Sequence, residues 1–404
     1  MENPDITAKA AYCLSVPSPR CETLCPTGNH IRDFIKAVKD GDVEEAARIL
    51  YATNPLPEFT SALCDHARQC RKGCVRGIKG EAVDVPAIES YIALRYGRLY
   101  RAPDVKNGKR VACIGAGPAN LSAAFFLLEK GYVVDFYEQE DGIGGAILTG
   151  IPGFRFDKKA LEKVYQDLLD LGANFRFRCR IGKDITLAEI IETYDAVLLA
   201  PGASKENWGG QTKVDGYVGG LDFLREANLT GAYSRKFENP FIWGGGNVAM
   251  DCARTAKRLF GKVSVIYRRS LKEMPANAEE IEAALADGVE LLFLHNVKEP
   301  IVENGKVVGL NIVTMELGEP DASGRASCHE VPGSESILPC DGLIFAIGEK
   351  PDLSAFGPIE AGEGRKTNLP NVWLLGDGRY GAKNIAAAIR DGREAAIEII
   401  EQVR

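Results

Sequence analysis

Arg110-Val-Ala-Cys-Ile-Gly-Ala-Gly-Pro-Ala-Asn120 runs from an apolar strand through a glycine-rich turn into the apolar helix Leu121–Lys130. A second strand, Val133–Tyr137, follows and ends at Glu138. Strand, turn, helix and strand in this order form a βαβ unit with a dinucleotide fingerprint. Gly115 and Gly117 let the backbone approach a pyrophosphate at the helix N-terminus, and Pro118 and Ala119, between turn and helix, are taken as cofactor contacts with them. Glu138, 21 residues after Gly117, is placed to take the ribose hydroxyls. Asn120 stands where a third glycine would pack helix against strand, which predicts a looser contact there.

The same signature returns downstream. Pro240-Phe-Ile-Trp243 leads into Gly244-Gly-Gly246-Asn247-Val248-Ala249 and a helix to Leu259. Its second strand, Val263–Tyr267, ends in Arg268-Arg269 instead of an acid. A carboxylate would repel a 2′-phosphate, whereas guanidiniums bind one through charge-assisted bonds. This site is therefore expected to take NADPH, with NADH possible; the alternative is a solvated strand end. The first site, with its acid and Gly144-Gly145, suits FAD.

Asn371-Val-Trp-Leu-Leu-Gly376-Asp377 reads as a strand ending in Gly-Asp, then a Gly381-Ala382 turn and the helix Ile385–Glu401. It would return to the flavin, with Asp377 near the pyrophosphate or ribityl chain. Tyr194–Ala200 and Asp341–Gly348 read as buried strands leading into and out of an interruption. The expected fold class is α/β: two Rossmann-like nucleotide-binding domains, the FAD domain interrupted by the NADPH domain, after a small helical iron–sulfur domain. The expected boundaries are 1–104 for the helical domain, 105–237 and 337–404 for the two FAD parts, and 238–336 for the NAD(P)H domain.

Six of the 11 cysteines lie in the first 74 residues: Cys13, Cys21, Cys25, Cys64, Cys70 and Cys74. The other five are scattered and read as small buried hydrophobes. Cys13-x7-Cys21-x3-Cys25-Pro26 and Cys64-x5-Cys70-x3-Cys74 fit iron–sulfur ligation better than zinc knuckles, and His30, His66, His295 and His329 form no spaced ligand pair. Around them, His30–Lys39, Val43–Tyr51 and a helix from Pro86 to Tyr96 are expected.

Composition narrows the classes further. Net charge is −7, from 49 basic and 56 acidic residues, which argues against general nucleic-acid binding. Hydrophobic residues are 45 % and charged residues 26 %, a globular balance. No apolar run approaches the ~18–20 residues of a membrane span. The start Met-Glu-Asn-Pro-Asp lacks a basic n-region and an apolar h-region, so a cytoplasmic protein is expected. Gly-x-Ser-x-Gly, Walker A and His-Glu-x-x-His patterns are missing, and no Cys-x-x-Cys follows residue 74.

With these motifs the chain resembles the small subunit of bacterial glutamate synthase. It is also similar to the NADPH-oxidising part of dihydropyrimidine dehydrogenase and to the large subunit of electron-bifurcating transhydrogenase. Asn54-Pro-Leu-Pro-Glu-Phe59, Gly150-Ile-Pro-Gly-Phe-Arg155, Tyr267-Arg-Arg-Ser270, Glu273-Met-Pro275 and Gly376–Arg393 carry the likeness along with the cysteine and glycine runs. The resemblance implies two [4Fe-4S] clusters: one on Cys25, Cys64, Cys70 and Glu89, the other on Cys13, Cys21 and Cys74. The family's fourth cysteine for the second cluster is replaced by Val16, so one or two clusters are expected. Pro201, in Ala200-Pro-Gly202, replaces a threonine beside the flavin, which predicts altered local contacts. Gly145, Ile151, Arg155 and Gly348 are taken as further cofactor contacts.

The implied activity is NADPH oxidation by hydride transfer to FAD, with single electrons leaving through the clusters to a separate catalytic subunit of glutamate synthase or dihydropyrimidine dehydrogenase type. A ferredoxin-like acceptor and electron bifurcation form the alternative, and a redox-sensing scaffold without turnover is a third reading. A hetero-oligomer is expected, with no nucleic-acid or membrane partner.

Overall fold

A computed structural model describes residues 4–211, 213–321, 324–362 and 364–403. The chain begins with six helices: α1 (Pro4–Ala11), α2 (Arg20–Thr23), α3 (Ile31–Lys39), α4 (Val43–Tyr51), α5 (Pro57–Leu63) and α6 (Val85–Tyr96). In α3, Ile31, Phe34, Ile35 and Val38 recur at helical spacing and are all buried, so that face is the one driven inward. Asp42 caps α4 by accepting from the Glu45 amide, and Asp84 caps α6 by accepting from the Ala87 amide.

After these come β1 (Arg110–Ile114), α7 (Pro118–Glu129), β2 (Val133–Tyr137), α8 (Ala146–Thr149), α9 (Lys159–Asp170), β3 (Asn174–Arg176), α10 (Leu187–Thr193), β4 (Ala196–Leu199), β5 (Lys205–Glu206), β6 (Tyr217–Gly219) and α11 (Gly220–Thr230). The second glycine-rich unit supplies β7 (Pro240–Trp243), α12 (Asn247–Phe260), β8 (Ser264–Tyr267), α13 (Ala278–Ala286) and β9 (Glu290–Phe293). Strands β10 (His295–Glu303), β11 (Lys306–Pro320), β12 (Ala326–Glu330), β13 (Ser336–Pro339), β14 (Gly342–Phe345) and β15 (Glu349–Lys350) follow. The chain closes with β16 (Val372–Leu374), α14 (Asp377–Tyr380) and α15 (Ile385–Gln402).

The elements fall into two compact units. The first comprises Met1–Gly145, Phe156–Ala203 and Pro351–Arg404. Its sheet has the order β16-β4-β1-β2-β3, with every pair parallel. The six N-terminal helices belong to this unit. Arg98 joins them to α9: its buried guanidinium reaches Glu58 at 2.7 Å and also Asp167. Helix α15 lies against α7 so closely that a Cβ on Gly392 would overlap the carbonyl of Ala119.

The looser packing expected at Asn120 is not found. Its side chain is fully buried and donates to the carbonyls of Ile114 at 2.9 Å and Gly115 at 2.8 Å, with Leu198 at 3.2 Å. The amide thus ties the helix to β1 and β4 instead of merely displacing it. Pro201 has its ring against the backbone of Gly378, where a Cβ would meet Pro201 Cδ at 2.8 Å.

The second unit comprises Ala146–Arg155 and Ser204–Lys350. Its parallel sheet has the order β6-β14-β7-β8-β9. An antiparallel sheet, β10-β11-β12 with β13 also on β11, and the short antiparallel pair β5–β15 complete it. The breaks therefore differ from those expected at 237/238 and 336/337. β6 is the reason for the first and β14 for the second, since β14 pairs with both β6 and β7. No helix among the described residues is long and apolar enough to cross a membrane.

Candidate nucleotide and iron–sulfur sites

In the first unit, β1 delivers the chain into Gly115 (φ 87°), where a Cβ would lie 2.6 Å from the Ala200 carbonyl oxygen. Glycine is required there by both conformation and space. Gly117 is different. It caps α7 with an ordinary φ of −81°, and a Cβ on it would meet no atom within 4 Å. Neither strain nor packing requires glycine at 117; what its hydrogen preserves is open space over the first amides of α7. That is the cradle a diphosphate needs. Gly145 stays near it, its Cβ position 3.1 Å from Gly117 Cα. Glu138 is buried at the end of β2, accepting from the amides of Ala116 at 2.7 Å and Glu140 at 2.9 Å. Burial pushes its carboxyl up from the usual range, while the two amides hold it down and fix its direction.

Gly376 and Asp377 follow β16. The Gly376 amide donates to Asp391 at 2.7 Å, and Arg365 holds the other oxygen of Asp391 at 2.7 Å. Asp377 accepts from the Lys383 amide at 3.1 Å, and burial raises its carboxyl. Both therefore sit in the same unit as Gly117 and Glu138, as the interrupted-domain reading requires.

The second unit repeats the cradle. At Gly244 (φ 145°) a Cβ would overlap the Ala346 carbonyl oxygen. Gly246 caps α12 with φ −89°, and nothing lies within 4 Å of its Cβ position. Asn247 locks the turn by accepting from the Asn277 amide at 2.8 Å, and Val248 packs beside Gly220. Gly348 (φ 110°) also faces open space.

The structure divides the two arginines that the sequence joins. Arg268 is exposed at the end of β8. Arg269 is buried and donates to Asp321 at 2.6 Å. They are not one two-pronged clamp: in the bend just past β8 one guanidinium faces solvent while the other is turned inward onto Asp321.

Arg155 is likewise committed. It reaches Asp251 at 2.7 Å and Glu280 at 2.7 Å, and Arg254 takes Glu280 at 2.8 Å. Burial still pushes the Asp251 carboxyl up to about 7. Phe154 lies under the guanidiniums of Arg254 and Arg258, 4.7 and 3.9 Å from the ring centre. The 146–155 segment is thus fastened to α12 and α13. Ile151, half-buried, is held by its amide to the Ala146 carbonyl at 3.0 Å.

The six N-terminal cysteines separate into two groups. Cys25, Cys64, Cys70 and Glu89 act on one another electrostatically, with Cys21 of the other group a smaller influence on Cys70. Glu89, at the second turn of α6, is fully enclosed, with one oxygen accepting from Thr60 at 2.6 Å and Asn54 at 2.8 Å. Burial raises its carboxyl to about 7. Cys25 Sγ lies 2.9 Å from Thr27 Oγ1. Cys13, Cys21 and Cys74 line one cavity, with Val16 also in its wall. Burial raises Cys21 to about 11 and Cys70 to about 12, so each thiol keeps its proton until a cation stabilises the thiolate.

Among the described residues no three His, Cys, Asp or Glu side chains converge tightly enough to hold a single metal ion. A four-iron cluster takes one ligand at each corner and needs donors spread around it. The donor set of three thiols and one enclosed carboxylate fits such a cluster; three thiols and a valine fit one with a corner left over.

Known proteins place these features. Residues 1–97 match dihydropyrimidine dehydrogenase domain II, a 4Fe-4S cluster family, and residues 109–392 match the pyridine nucleotide-disulphide oxidoreductases. The chain is 34 % identical to the small chain of NADPH glutamate synthase from Escherichia coli, over 96 % of this chain and 89 % of that one. It is 36 % identical to the beta subunit of an NADP(+)-dependent formate dehydrogenase from Moorella thermoacetica, over 95 % of this chain but only 60 % of that longer one. FprA from Mycobacterium tuberculosis, solved with NADPH, shares the fold at a TM-score of 0.62 and 18 % identity, covering 73 % of this chain and 84 % of that one.

Proposed function

From a chain that belongs to the pyridine nucleotide-disulphide oxidoreductase family, an NAD(P)H-dependent oxidoreductase with an FAD fold and a 4Fe-4S domain, we propose an electron-input subunit. It oxidises NADPH on FAD and delivers single electrons through its N-terminal clusters to a separate catalytic subunit. FAD, when bound, accepts a hydride from a reduced nicotinamide and releases electrons one at a time, the change of currency that iron–sulfur centres require.

The protein's own residues do the positioning. The open amides of α7 beyond Gly117 hold the FAD diphosphate, and Glu138, already aimed by two backbone donors, takes the ribose. Gly376 and Asp377 close that site from β16. The open end of α12 at Gly246 takes the NADPH diphosphate. Arg268 reads the 2′-phosphate, while Arg269 fixes the strand end through Asp321. Cys25, Cys64, Cys70 and Glu89 hold the cluster that takes electrons from the flavin; Cys13, Cys21 and Cys74 hold the other.

The observation that carries this reading is the placing of both cysteine groups in the same compact unit as the first open helix end. The names of the relatives, a glutamate synthase small chain and a formate dehydrogenase beta subunit, support a partner that performs the substrate chemistry.

The deciding experiment is an anaerobic iron, sulfide and flavin count joined to NADPH titration followed by EPR. The proposal expects one flavin, about eight irons and eight sulfides per chain, with flavin bleaching followed by reduced-cluster signals. Flavin that bleaches without any cluster signal would overturn the electron-exit part.

A further inference from the structure

We infer that Ser15 supplies the fourth protein ligand of the cluster held by Cys13, Cys21 and Cys74. Its Oγ fills the corner that a cysteine at position 16 would otherwise take. The inference rests on the reading, proposed above, that this cavity holds a four-iron cluster.

The cavity wall singles this residue out. Apart from the three thiols, the side chains lining it are hydrocarbon, with two cations and one hydroxyl. The cations cannot bind iron and are already committed. Arg32 donates to the Pro17 carbonyl at 3.0 Å and to Asp33 at 2.9 Å. Arg76 donates to the Tyr12 carbonyl at 2.8 Å and lies over the Tyr12 ring. No carboxylate and no imidazole lines the space. Ser15 carries the one hydroxyl among the residues that line the cavity; the residue is solvent-exposed, and its hydroxyl has no protein hydrogen-bond partner among the described residues, which leaves it free to turn toward the space.

Local backbone geometry agrees. Ser15 adopts the left-handed conformation, φ 50°, which a residue with a Cβ rarely takes. The turn at 15 brings both Ser15 and Val16 to the wall that Cys13 and Cys21 share. With valine at 16 unable to bind iron, the neighbouring hydroxyl is the available donor. Serine binds iron as the alkoxide, so one O–Fe bond forms, one O–H bond breaks, and the proton goes to solvent. No electrons move in the step.

The test uses the full chain, purified and reconstituted anaerobically with iron and sulfide. Iron and sulfide are counted, and EPR is recorded after mild oxidation and after dithionite. Wild type is expected to hold about eight irons and show no three-iron signal. S15A is expected to lose about one iron per chain, keep its sulfide and show the three-iron signal. S15C keeps the full count, and only this cluster's midpoint potential rises, because a thiolate stabilises oxidised iron less than an alkoxide does. Adding V16C to S15A restores the lost iron.

A three-iron signal in wild type, or an unchanged count in S15A, would overturn the ligand assignment while leaving the cluster reading intact. About four irons and four sulfides in wild type would instead mean that the cavity holds no cluster, and the underlying reading fails with it.

Discussion

Arg393, on α15, donates to the carbonyl of Thr27 at 2.9 Å and also to that of Thr53. Thr27 is two residues past Cys25 and hydrogen-bonds its sulfur. Helix α15, which follows Gly376-Asp377, is therefore fastened by one guanidinium to the turn that carries Cys25, a proposed cluster ligand. Sequence spacing says nothing of this contact, since 366 residues separate its partners.

Replacing Arg393 by Met should leave both carbonyls without their charged donor, at a cost of about 1.5–3 kcal/mol for each hydrogen bond lost. The expected outcome is a lower denaturant midpoint. NADPH should still bleach the flavin at the wild-type rate, because Gly246 and Arg268 are untouched, while reduction of the clusters slows. Stopped-flow absorbance at flavin and cluster wavelengths separates the two steps.

The nicotinamide preference should reside in Arg268 alone. R268A is expected to lower kcat/KM for NADPH about 10- to 100-fold, the worth of one charge-assisted phosphate contact, and to leave NADH unchanged. R269M should behave differently. It leaves Asp321 without its buried partner, so stability falls and both nucleotides are affected alike. Equal loss of NADPH preference in the two variants would mean that the paired-arginine reading of the sequence was the better one.

The glycines sort by the same logic. G246V places its Cβ where no protein atom lies within 4 Å, so the chain should fold with near-normal stability, retain flavin and lose reduction by NADPH. G392A, in contrast, drives a methyl into the Ala119 carbonyl and should destabilise the first unit outright. Thermal melts beside NADPH titrations distinguish a blocked ligand cradle from a broken helix contact.

Much of this was legible in the residues. Strand, glycine turn, helix and terminal charge occur in one short stretch, so 110–138 and 240–269 announce themselves, as do cysteines crowded into 74 positions. Asn120 was misread because a glycine rule describes what fits between helix and strand, not what an amide can bind there. Arg155 and Arg269 look like ligand contacts by type and place; only the fold brings Asp251 and Asp321 to them. Strands β10 to β13 went unread because their sheet pairs residues through bulges and half-exposed positions, which blur the alternation that marks a strand.

A pH dependence follows from Glu206. Its carboxylate accepts from the Leu221 amide at 2.6 Å at the start of α11 and fills the space over Gly219. Burial, with Asp222 nearby, raises its carboxyl from the ordinary 4.5 to about 7. The folded state therefore keeps a proton that the unfolded chain has lost between about pH 4.5 and 7. Stability of the second unit should fall as pH rises through that window and level off above it. E206Q removes this share, about 1–2 kcal/mol once partial exposure is discounted, so its denaturant midpoint should exceed that of wild type at pH 8. Asp251 contributes a slope of the same sign, which D251N removes separately.

Cys70 and Cys74 are four residues apart in sequence yet differ in their surroundings: Cys70 acts on Cys25, Cys64 and Glu89, with Cys21 a smaller influence, whereas Cys74 lines the cavity of Cys13 and Cys21. Single substitutions should therefore empty one site at a time. C70A is expected to spare flavin bleaching but abolish cluster reduction altogether, since the centre proposed to take electrons from the flavin is lost and the other one is stranded. C74A should keep one NADPH-reducible cluster and fail only in delivery to an external acceptor. The two variants differ by which cluster signal remains in EPR, so the order of the wire can be read without knowing the partner. If C70A still reduced the Cys13 cluster at the wild-type rate, electrons would have to enter there first, and the Glu89 site would become the exit.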